Sequence, residues 1–226
     1  MRDVVLVTTH DSIAQLTLNR PESYNALNAE TAQALTRALL DLGADPAIRG
    51  VIITGSGAAF SAGGDIKFVL AHPHGPAAAF HELATHVHVC VTEIRRLRKP
   101  VIAAVNGVAA GGGFSLALAC DFRIAAENAK LAFLFNRVGL CGADMGAGWL
   151  LPQLVGLGRA TEILMLGEAV PAARALEIGL VHRVVGDAAA ARAEAQALAH
   201  KLASGPAFAH GMTKIMLSQE AHMSLP

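Results

Sequence analysis

Apolar and polar positions recur with two different periods in the first part of the chain, and each period predicts a different element. Two short runs rich in β-branched residues, 3–8 and 13–18, are separated by the polar sequence HDS, which predicts an antiparallel hairpin. Apolar side chains then recur at helical spacing over 27–42. Asn28 is the predicted N-cap of this helix, and Gly43 is its predicted end.

The rest of the chain repeats the order of strand, turn and helix, which predicts an α/β fold. Continuous apolar runs at 50–57 and 101–105 predict buried strands that lead into glycine-rich turns. The other predicted strands lie in 121–127, 131–135 and 181–185, and the other predicted helices and short segments lie in 81–97, 113–119, 146–155, 163–167, 172–179 and 188–202.

The composition becomes more polar and amphipathic after the sequence SGP at 204–206. This change predicts a boundary after residue 205. Residues 1–205 form the predicted core, and residues 206–226 form the beginning of a predicted C-terminal helical region. We expect that region to be incomplete, because the family considered below has a longer helical C-terminus.

The composition of the 226-residue chain excludes several classes of protein. Hydrophobic residues make up 53% and charged residues 16%, which supplies enough apolar surface for one large core and excludes a disordered chain. The 18 basic and 18 acidic residues cancel. We therefore expect no nucleic-acid partner, because neutralising phosphates requires a clustered cationic surplus.

Three features of the sequence indicate the cellular compartment. They are the three cysteines, an N-terminus without a long apolar run and an interrupted apolar segment. The cysteines lack CxxC spacing, which is typical of reduced cytosolic core residues, and nothing in the N-terminus predicts export. The segment 101–120 is apolar, but four glycines and an Asn-Gly turn divide it into pieces too short to cross a bilayer. We expect a cytoplasmic protein without a membrane partner.

Two glycine-rich turns, at 61–67 and 106–114, each follow a predicted buried strand. Free backbone N–H groups at such a turn, next to a helix N-terminus, form a preorganised anion site. Neither turn contains the dinucleotide or P-loop fingerprint. Taken alone, each turn is either a tight structural connection or a catalytic device.

Taken together, four segments carry a family resemblance. They are LNRPESYNALN (18–28), FSAGGDIK (60–67), KPVIAAVNGVAAGGGFSLALACDFRIAAENAKL (99–131) and LGEAVPAARALEIGLVHRVV (166–185). In order and spacing they resemble the crotonase, or enoyl-CoA hydratase/isomerase, superfamily. The resemblance extends from about residue 3 to residue 217, nearly the whole chain.

The resemblance implies a spiral of repeated β-β-α turns and a helical C-terminal region that packs into trimers or dimers of trimers. It also implies an acyl-CoA thioester substrate, whose enolate oxygen is stabilised by the backbone N–H groups of Gly64 and Gly112. Such donors act selectively, because negative charge develops on that oxygen only in the transition state or intermediate. No cofactor is implied beyond the coenzyme A of the substrate.

The resemblance further implies a binding path for coenzyme A. Its body is expected along Tyr24, Ala26, Ala62, Asp65 and Ile66. Many members of the family place a C-terminal lysine near a phosphate of coenzyme A, and the residue here at that position is Lys214. The alternative is that Lys214 is a solvated residue on a helix face.

The sequence departs from the pattern of the hydratases at their two glutamates. One glutamate is expected two residues after the glycine triplet and the other twenty residues later, and here these positions hold Ser115 and Phe135. Neither can serve as a carboxylate. The remaining acid is Asp144, in a loop where some members that shift double bonds carry a catalytic aspartate. Asp144 is either that proton carrier or the N-cap of a helix beginning near Met145, and Arg137 is a candidate ion-pair partner.

The ten histidines predict no metal site. The pairs His72 with His74 and His86 with His88 are spaced by two residues, which places them on different sides of a helix. The sequence therefore predicts an acyl-CoA enzyme of the hydratase/isomerase type. Two alternatives remain: a non-catalytic acyl-CoA-binding relative, and a nucleotide-binding α/β domain without specificity for coenzyme A.

Overall fold

The computed structural model describes residues 3–220 and 223–224, and it is a mixed α/β structure. Its strands are β1 (Val5–His10), β2 (Ile13–Leu18), β3 (Gly50–Gly55), β4 (Ala59–Ser61), β5 (Val101–Val105), β6 (Val108–Ala110), β7 (Phe122–Ala126), β8 (Lys130–Ala132), β9 (Val170–Pro171) and β10 (Arg183–Val185). Its α-helices are α1 (Ala29–Ala44), α2 (Ile66–Ala71), α3 (Gly75–Arg96), α4 (Gly112–Ala119), α5 (Ala147–Val155), α6 (Leu157–Leu166), α7 (Ala172–Glu177), α8 (Ala188–Ala203) and α9 (Ala207–Glu220). Short 3-10 helices span Pro21–Ser23 and Phe135–Val138.

Three consecutive β-β-α units form the body of the fold. They begin with β3 and β4, with β5 and β6, and with β7 and β8. In each unit the first strand joins a six-stranded sheet, in the order β1-β2-β3-β5-β7-β10, and the second joins a four-stranded sheet, in the order β4-β6-β8-β9. The strands β2, β3, β5, β7 and β10 run parallel, as crossover helices require. The predicted α/β class with repeated β-β-α units is confirmed.

The six-stranded sheet is buried on both faces, which explains its continuous apolar strands. In β3, Val51 and Ile53 belong to the main core, whereas Ile52 belongs to a second core beneath α8. Helix α8 meets the sheet through fully or nearly fully buried alanines at intervals of four residues, namely Ala191, Ala195, Ala199 and Ala203. Their small side chains allow the helix to pack close to the sheet.

Most predicted elements are present, and the differences concern ends and small strands. The hairpin is antiparallel, and Asn28 caps α1 by accepting from the N–H of Thr31 at 2.9 Å. Gly43 does not end α1, which continues to Ala44, so that prediction is wrong. Helix α3 begins at Gly75 rather than at residue 81, with a proline in its first turn.

Helix α9 is held against the core by a buried ion pair. The ammonium of Lys214 lies 2.8 Å from Oδ2 of Asp121 and donates to the carbonyl of Lys99 at 3.1 Å. Burial lowers the pKa of Lys214 below its ordinary value, and the opposing effect of Asp121 does not fully compensate. The N–H of Val101 donates to the same Asp121 oxygen at 2.8 Å. This pair therefore ties the first C-terminal helix to the start of β5.

The apolar segment 101–120 forms β5, β6 and α4 within the core rather than one long helix. Among the described residues, no helix combines the length and apolar character that a membrane crossing requires.

We predict that Lys214→Met lowers the free energy of unfolding by about 2 kcal/mol, because it leaves the partly buried carboxylate of Asp121 without its closest cation, with only Arg95 at 3.8 Å remaining. Urea denaturation followed by circular dichroism measures this difference. The control is Lys201→Met, which removes an exposed lysine of α8. Equal stability of the two variants would contradict a stabilising role for the pair.

Candidate active site

The two glycine-rich turns meet because the strands before them are parallel neighbours. Strands β4 and β6 pair in parallel, with Ser61 opposite Ala109, and each ends at the same edge of the four-stranded sheet. The chain then turns through Gly63 after β4 and through Gly111 after β6. A Cβ on Gly111 would lie only 3.9 Å from the Cα of Gly63. The sheet therefore brings into contact two turns that lie almost fifty residues apart in sequence.

Glycine is required at this contact for both conformation and space. Gly63 has φ +88° and Gly111 has φ +49°, values that residues with a Cβ rarely adopt. A Cβ on Gly63 would lie 2.7 Å from the carbonyl oxygen of Ala110, and a Cβ on Gly113 would lie 2.5 Å from that of Ser61. Both obstructing atoms belong to the backbone. No rotation of a side chain can relieve the overlap.

The turns leave the N–H groups of Gly64 and Gly112 without protein acceptors. The N–H of Leu27 donates to the carbonyl of Gly63, and the carbonyl of Leu27 accepts from the N–H of Asp65. In this parallel bridge the residue between them, Gly64, directs its own N–H away from Leu27. Gly112 is the first residue of α4, where an N–H has no acceptor within the helix. Within residues 3–220, neither N–H donates to another group of the protein.

The segment that carries LNRPESYNALN supports the first turn from behind. The guanidinium of Arg20 lies 2.8 Å from Oδ2 of Asp65 and donates to the carbonyl of Ala26 at 2.6 Å. The side-chain amide of Asn25 donates to the carbonyl of Ala59 at 2.7 Å, and the hydroxyl of Ser61 donates to the Asn25 carbonyl at 2.8 Å. These bonds fix β4 and the turn against the N-terminal segment.

Asp65 is committed to structure. Its carboxylate caps α2 by accepting from the N–H groups of Lys67 and Phe68, at 2.9 Å and 3.3 Å, and it pairs with Arg20. Burial alone would raise the pKa of Asp65. The hydrogen bond and charge of Arg20, together with the two backbone donors, outweigh this effect of burial, so the pKa of Asp65 lies below its ordinary value. Only the backbone of Asp65 is left to contact a ligand.

A cavity of about 250 Å³ opens beside the two turns. Its lining residues are Ala62, Gly64, Ile66, Phe80, Leu83, Ala110, Gly111, Leu134, Phe135, Leu140, Asp144 and Met145. Asp144 supplies the one titratable side chain among these twelve residues. The cavity can hold an apolar group between the turns and a single carboxylate.

Asp144 does not cap a helix with its side chain, so the N-cap alternative is wrong. Helix α5 begins at Ala147, and its N-cap is Gly146, with φ +82°. The half-buried carboxylate of Asp144 instead accepts from the N–H of the next residue, Met145, at 2.7 Å. Met145 has a left-handed φ of +51° and lines the cavity, so the loop holds an uncommon backbone conformation beside Asp144.

The two positions at which the resemblance implies glutamates lie close to the glycine turn but carry no acid. Ser115 is fully buried in α4, and its hydroxyl has no hydrogen-bond partner among the described residues. Phe135 lines the cavity, and its ring lies 3.3 Å from the position of a Cβ on Gly111. It also stacks on Phe133, with ring centroids 5.8 Å apart. The second position is therefore an apolar wall.

The structure brings most of the predicted site residues together. Gly64, Ala62, Ile66 and Asp144 line the cavity, and Gly112 follows the lining residue Gly111.

Three further predicted residues lie just behind the cavity. Tyr24 is 61% exposed, and its carbonyl accepts from the N–H of Ala62 at 2.9 Å. Ala26 and Asp65 are buried and are both bonded to Arg20. The N-terminal segment and the first glycine turn thus form one continuous surface.

Lys214 is the exception, because it lies in a different cavity, beside Asp121 and His210. Its side chain is 6% exposed, so it is not the solvated lysine considered as the alternative. In this chain its ammonium is engaged by Asp121 rather than directed to the glycine turns. The side chain of Arg137 lies outside the part of the chain that the structure describes.

Sequence reasoning missed several residues that build the site. Arg20 and Asn25 lie within the quoted N-terminal motif, but their roles depend on contacts with residues more than thirty positions away. Phe80, Leu83 and Met145 line the cavity from α3 and from the loop before α5. Their apolar character predicts only burial, and no local signal marks them as cavity residues.

The comparisons with known proteins agree with this geometry. The sequence pattern described as enoyl-CoA hydratase/isomerase matches residues 8–226. The chain belongs to that family. It is an enzyme of the acyl-CoA hydratase/isomerase type, and the resemblance identified from the sequence is confirmed.

Individual relatives cover the chain to different extents. The 1,2-epoxyphenylacetyl-CoA isomerase of Escherichia coli is 39% identical over 95% of this chain and 81% of its own length. The probable enoyl-CoA hydratase EchA12 of Mycobacterium tuberculosis is 41% identical over 77% of this chain, which spans 63% of that protein. A crystal structure of a putative enoyl-CoA hydratase from Streptomyces coelicolor has a TM-score of 0.90 at 42% identity, covering 98% of this chain and 81% of that one.

We predict that Asp65→Asn lowers the free energy of unfolding by about 2 kcal/mol at pH 7, because asparagine keeps the helix cap but loses the charge-assisted bond to Arg20. The pKa of Asp65 is lower in the folded protein than in the unfolded chain, where it is 3.8. Its ionised carboxylate therefore adds to the free energy of unfolding above pH 3.8, and this stabilisation is lost as the pH falls through the pKa of the folded state.

Urea denaturation between pH 3 and pH 7 measures this effect. The parent is expected to be more stable than Asp65→Asn at neutral pH, with the difference shrinking once the pH falls below 3.8. Asp41→Asn, at an exposed position of α1, is the matched control. A difference that stays constant over the whole range would contradict the assignment.

Proposed function

We propose that the chain binds an acyl-CoA thioester with its carbonyl oxygen between the N–H groups of Gly64 and Gly112. Neither group has an acceptor among residues 3–220, and α4 directs the positive end of its dipole to the same place. Two fixed donors stabilise an enolate oxygen more than a neutral carbonyl, because the charge develops as the proton leaves. Glycine at the turns permits the close approach of the ligand.

We propose Asp144 as the group that moves the proton, and its position as the one titratable side chain among the described residues of the cavity lining carries the proposal. The carboxylate removes a proton from the carbon next to the thioester of a 3-enoyl-CoA, and the electron pair extends into a dienolate on the thioester oxygen. The protonated Asp144 then returns a proton to carbon 4, which gives the 2-enoyl-CoA. No water, oxidant or reductant is consumed.

Double-bond migration fits the cavity better than addition of water. Hydration by the family's two-glutamate mechanism requires carboxylates that hold and activate a water molecule on the substrate. Here Phe135 presents an apolar ring, and the buried hydroxyl of Ser115 has no base beside it among the described residues. A single carboxylate is sufficient for proton transfer between two carbons. One of the relatives, the 1,2-epoxyphenylacetyl-CoA isomerase of E. coli, is likewise named as an isomerase of an acyl-CoA, although its substrate is an epoxide.

The body of coenzyme A is proposed to lie along Tyr24, Ala26, Ala62 and Ile66, with Asp65 contributing through its backbone. Support comes from the bond between the Tyr24 carbonyl and the Ala62 N–H, which joins the N-terminal segment to a residue of the cavity lining. Tyr24 and Ile66 are exposed there. The reaction as written needs no cofactor apart from the coenzyme A of the substrate, and we propose none.

We propose that the chain assembles into a trimer or a dimer of trimers and that it is located in the cytoplasm. A trimer or dimer of trimers would cover large apolar side chains that one chain leaves exposed, such as Phe208 at 81% and Leu157 at 74%. We propose that helix α9 takes part in this packing. A cytoplasmic location is supported by three free cysteines, two of them buried. Burial raises the pKa of Cys90 to about 11 and that of Cys120 to about 12, which makes these thiols unreactive.

We predict that Asp144→Asn lowers kcat for isomerisation of a 3-enoyl-CoA by about 100-fold or more, the usual contribution of a positioned acid or base. The fold is expected to persist, because asparagine can also accept the hydrogen bond from the Met145 N–H. Steady-state kinetics and thermal unfolding measure the two effects. Asp187→Asn, which changes the N-cap of α8, is the control for a capping effect on the fold. Unchanged turnover in Asp144→Asn would sink the assignment.

We predict that Gly112→Pro lowers kcat by about 100- to 1,000-fold relative to Gly112→Ala, because proline removes the N–H donor whereas alanine keeps it. Proline is tolerated at the first position of a helix. Both variants add a Cβ that would meet the flexible Met145 side chain at 2.9 Å, so their comparison isolates the N–H.

Affinity for coenzyme A, measured by calorimetry, is expected to be similar in the two variants. Equal turnover in Gly112→Pro and Gly112→Ala, with both folded, would contradict the role of this N–H.

A further inference from the structure

Two histidines and an aspartate from opposite ends of the chain meet on the face of the molecule that α8 covers. His10 and Asp11 lie at the turn of the first hairpin, and His200 lies in the last turn of α8. One ligand atom from each of the three side chains can be chosen so that all lie within 4.8 Å of one another. The sequence gives no indication of this cluster, because 190 positions separate its histidines.

The backbone beneath the cluster is fixed on both sides. His10 pairs directly with Ile13 in the antiparallel ladder, and Asp11 occupies the turn with a left-handed φ of +53°. The neighbour of His200, Ala199, is fully buried against the sheet. Its carbonyl oxygen lies 3.8 Å from the position of a Cβ on Gly50. The three Cα atoms are therefore held by two elements of the packed core.

The side chains already face one another. Nδ1 of His10 lies 3.2 Å from Oδ2 of Asp11, and the rings of His10 and His200 are perpendicular, with centroids 6.3 Å apart. Both rings line one open cavity of about 410 Å³, between the hairpin and α8. The side-chain amide of Gln196 lies 3.0 Å from Nε2 of His200 and holds that ring.

We propose that His10, Asp11 and His200 bind a divalent transition-metal ion of the zinc type. Two imidazoles and one carboxylate are a ligand set that Zn²⁺ takes up, with water completing a tetrahedron. Bonds of about 2.0–2.2 Å bring ligand atoms closer together than 4.8 Å, so the side chains must close around the ion. His10 and Asp11 are exposed, which leaves their side chains free to do so.

The ion would connect the first hairpin to α8 and so would close a loop formed by nearly all of the chain between residues 1 and 205. A link that closes a long loop restricts the unfolded chain more than a local one, so binding is expected to stabilise the folded state. The proposal does not depend on the proposed reaction, because none of the three residues lines the cavity beside the glycine turns. The sequence predicts no metal site because only histidine pairs close in sequence were candidates, whereas His10 and His200 are far apart in sequence.

The test uses the full chain without a histidine tag, treated with EDTA and dialysed. Titration with ZnCl₂ in a calorimeter is expected to show one ion per chain, and Zn²⁺ is expected to raise the Tm. In His10→Ala and His200→Ala, the dissociation constant is expected to rise at least tenfold and the shift in Tm to disappear. His88→Ala, at an exposed position of α3, is the matched control and is expected to bind as the parent does.

Co²⁺ provides a second measurement that needs no variant. A tetrahedral site with nitrogen and oxygen ligands is expected to give visible absorption bands with one equivalent of Co²⁺, and one equivalent of Zn²⁺ is expected to abolish them. Absence of these bands together with absence of saturable Zn²⁺ binding would overturn the proposal. Equal affinity in His200→Ala and the parent, or binding lost equally in His88→Ala, would overturn it as well.

Discussion

The structure depends on the close approach of two backbone turns. Strands β4 and β6 end side by side, and the turns after them leave no room for a Cβ at Gly63 or Gly113. Only glycine satisfies both the spacing and the positive φ of Gly63 and Gly111. The N–H groups of Gly64 and Gly112 have no acceptor among the described residues as a result, and the hydrogen bonds of Arg20, Asn25 and Asp65 hold the first turn in place.

The chemistry follows from what faces those N–H groups. In the proposed function, an enolate oxygen is stabilised there by groups that are in place before the reaction begins. The rest of the cavity is apolar except for Asp144, so the proposed reaction has one proton carrier. Phe135 closes the place where a second acid is expected in a hydratase. The proposed function is therefore proton transfer between carbons rather than addition of water.

The sequence predicts the fold well and the site only in part. Strand β5 and the cap at Asn28 follow from local rules of burial and hydrogen bonding, and Gly64 follows from a motif. Contacts across long stretches of chain do not follow from such rules. The pairing of Lys214 with Asp121 is one example, and the approach of His200 to His10 is another. The sequence alone also allows Asp144 to cap a helix, and only the start of α5 at Ala147, with Gly146 as its N-cap, excludes that alternative.

The most direct test of the central claim is the fate of a 3-enoyl-CoA incubated with the parent enzyme in D₂O. We expect conversion to the 2-enoyl-CoA without accumulation of 3-hydroxyacyl-CoA, and deuterium at carbon 4 to the extent that the carboxyl proton of Asp144 exchanges with solvent. Mass spectrometry and NMR of the recovered thioesters measure both. A 3-hydroxyacyl-CoA as the main product, or recovery of the 3-enoyl-CoA without conversion, would contradict an oxyanion site served by the single carboxylate of Asp144.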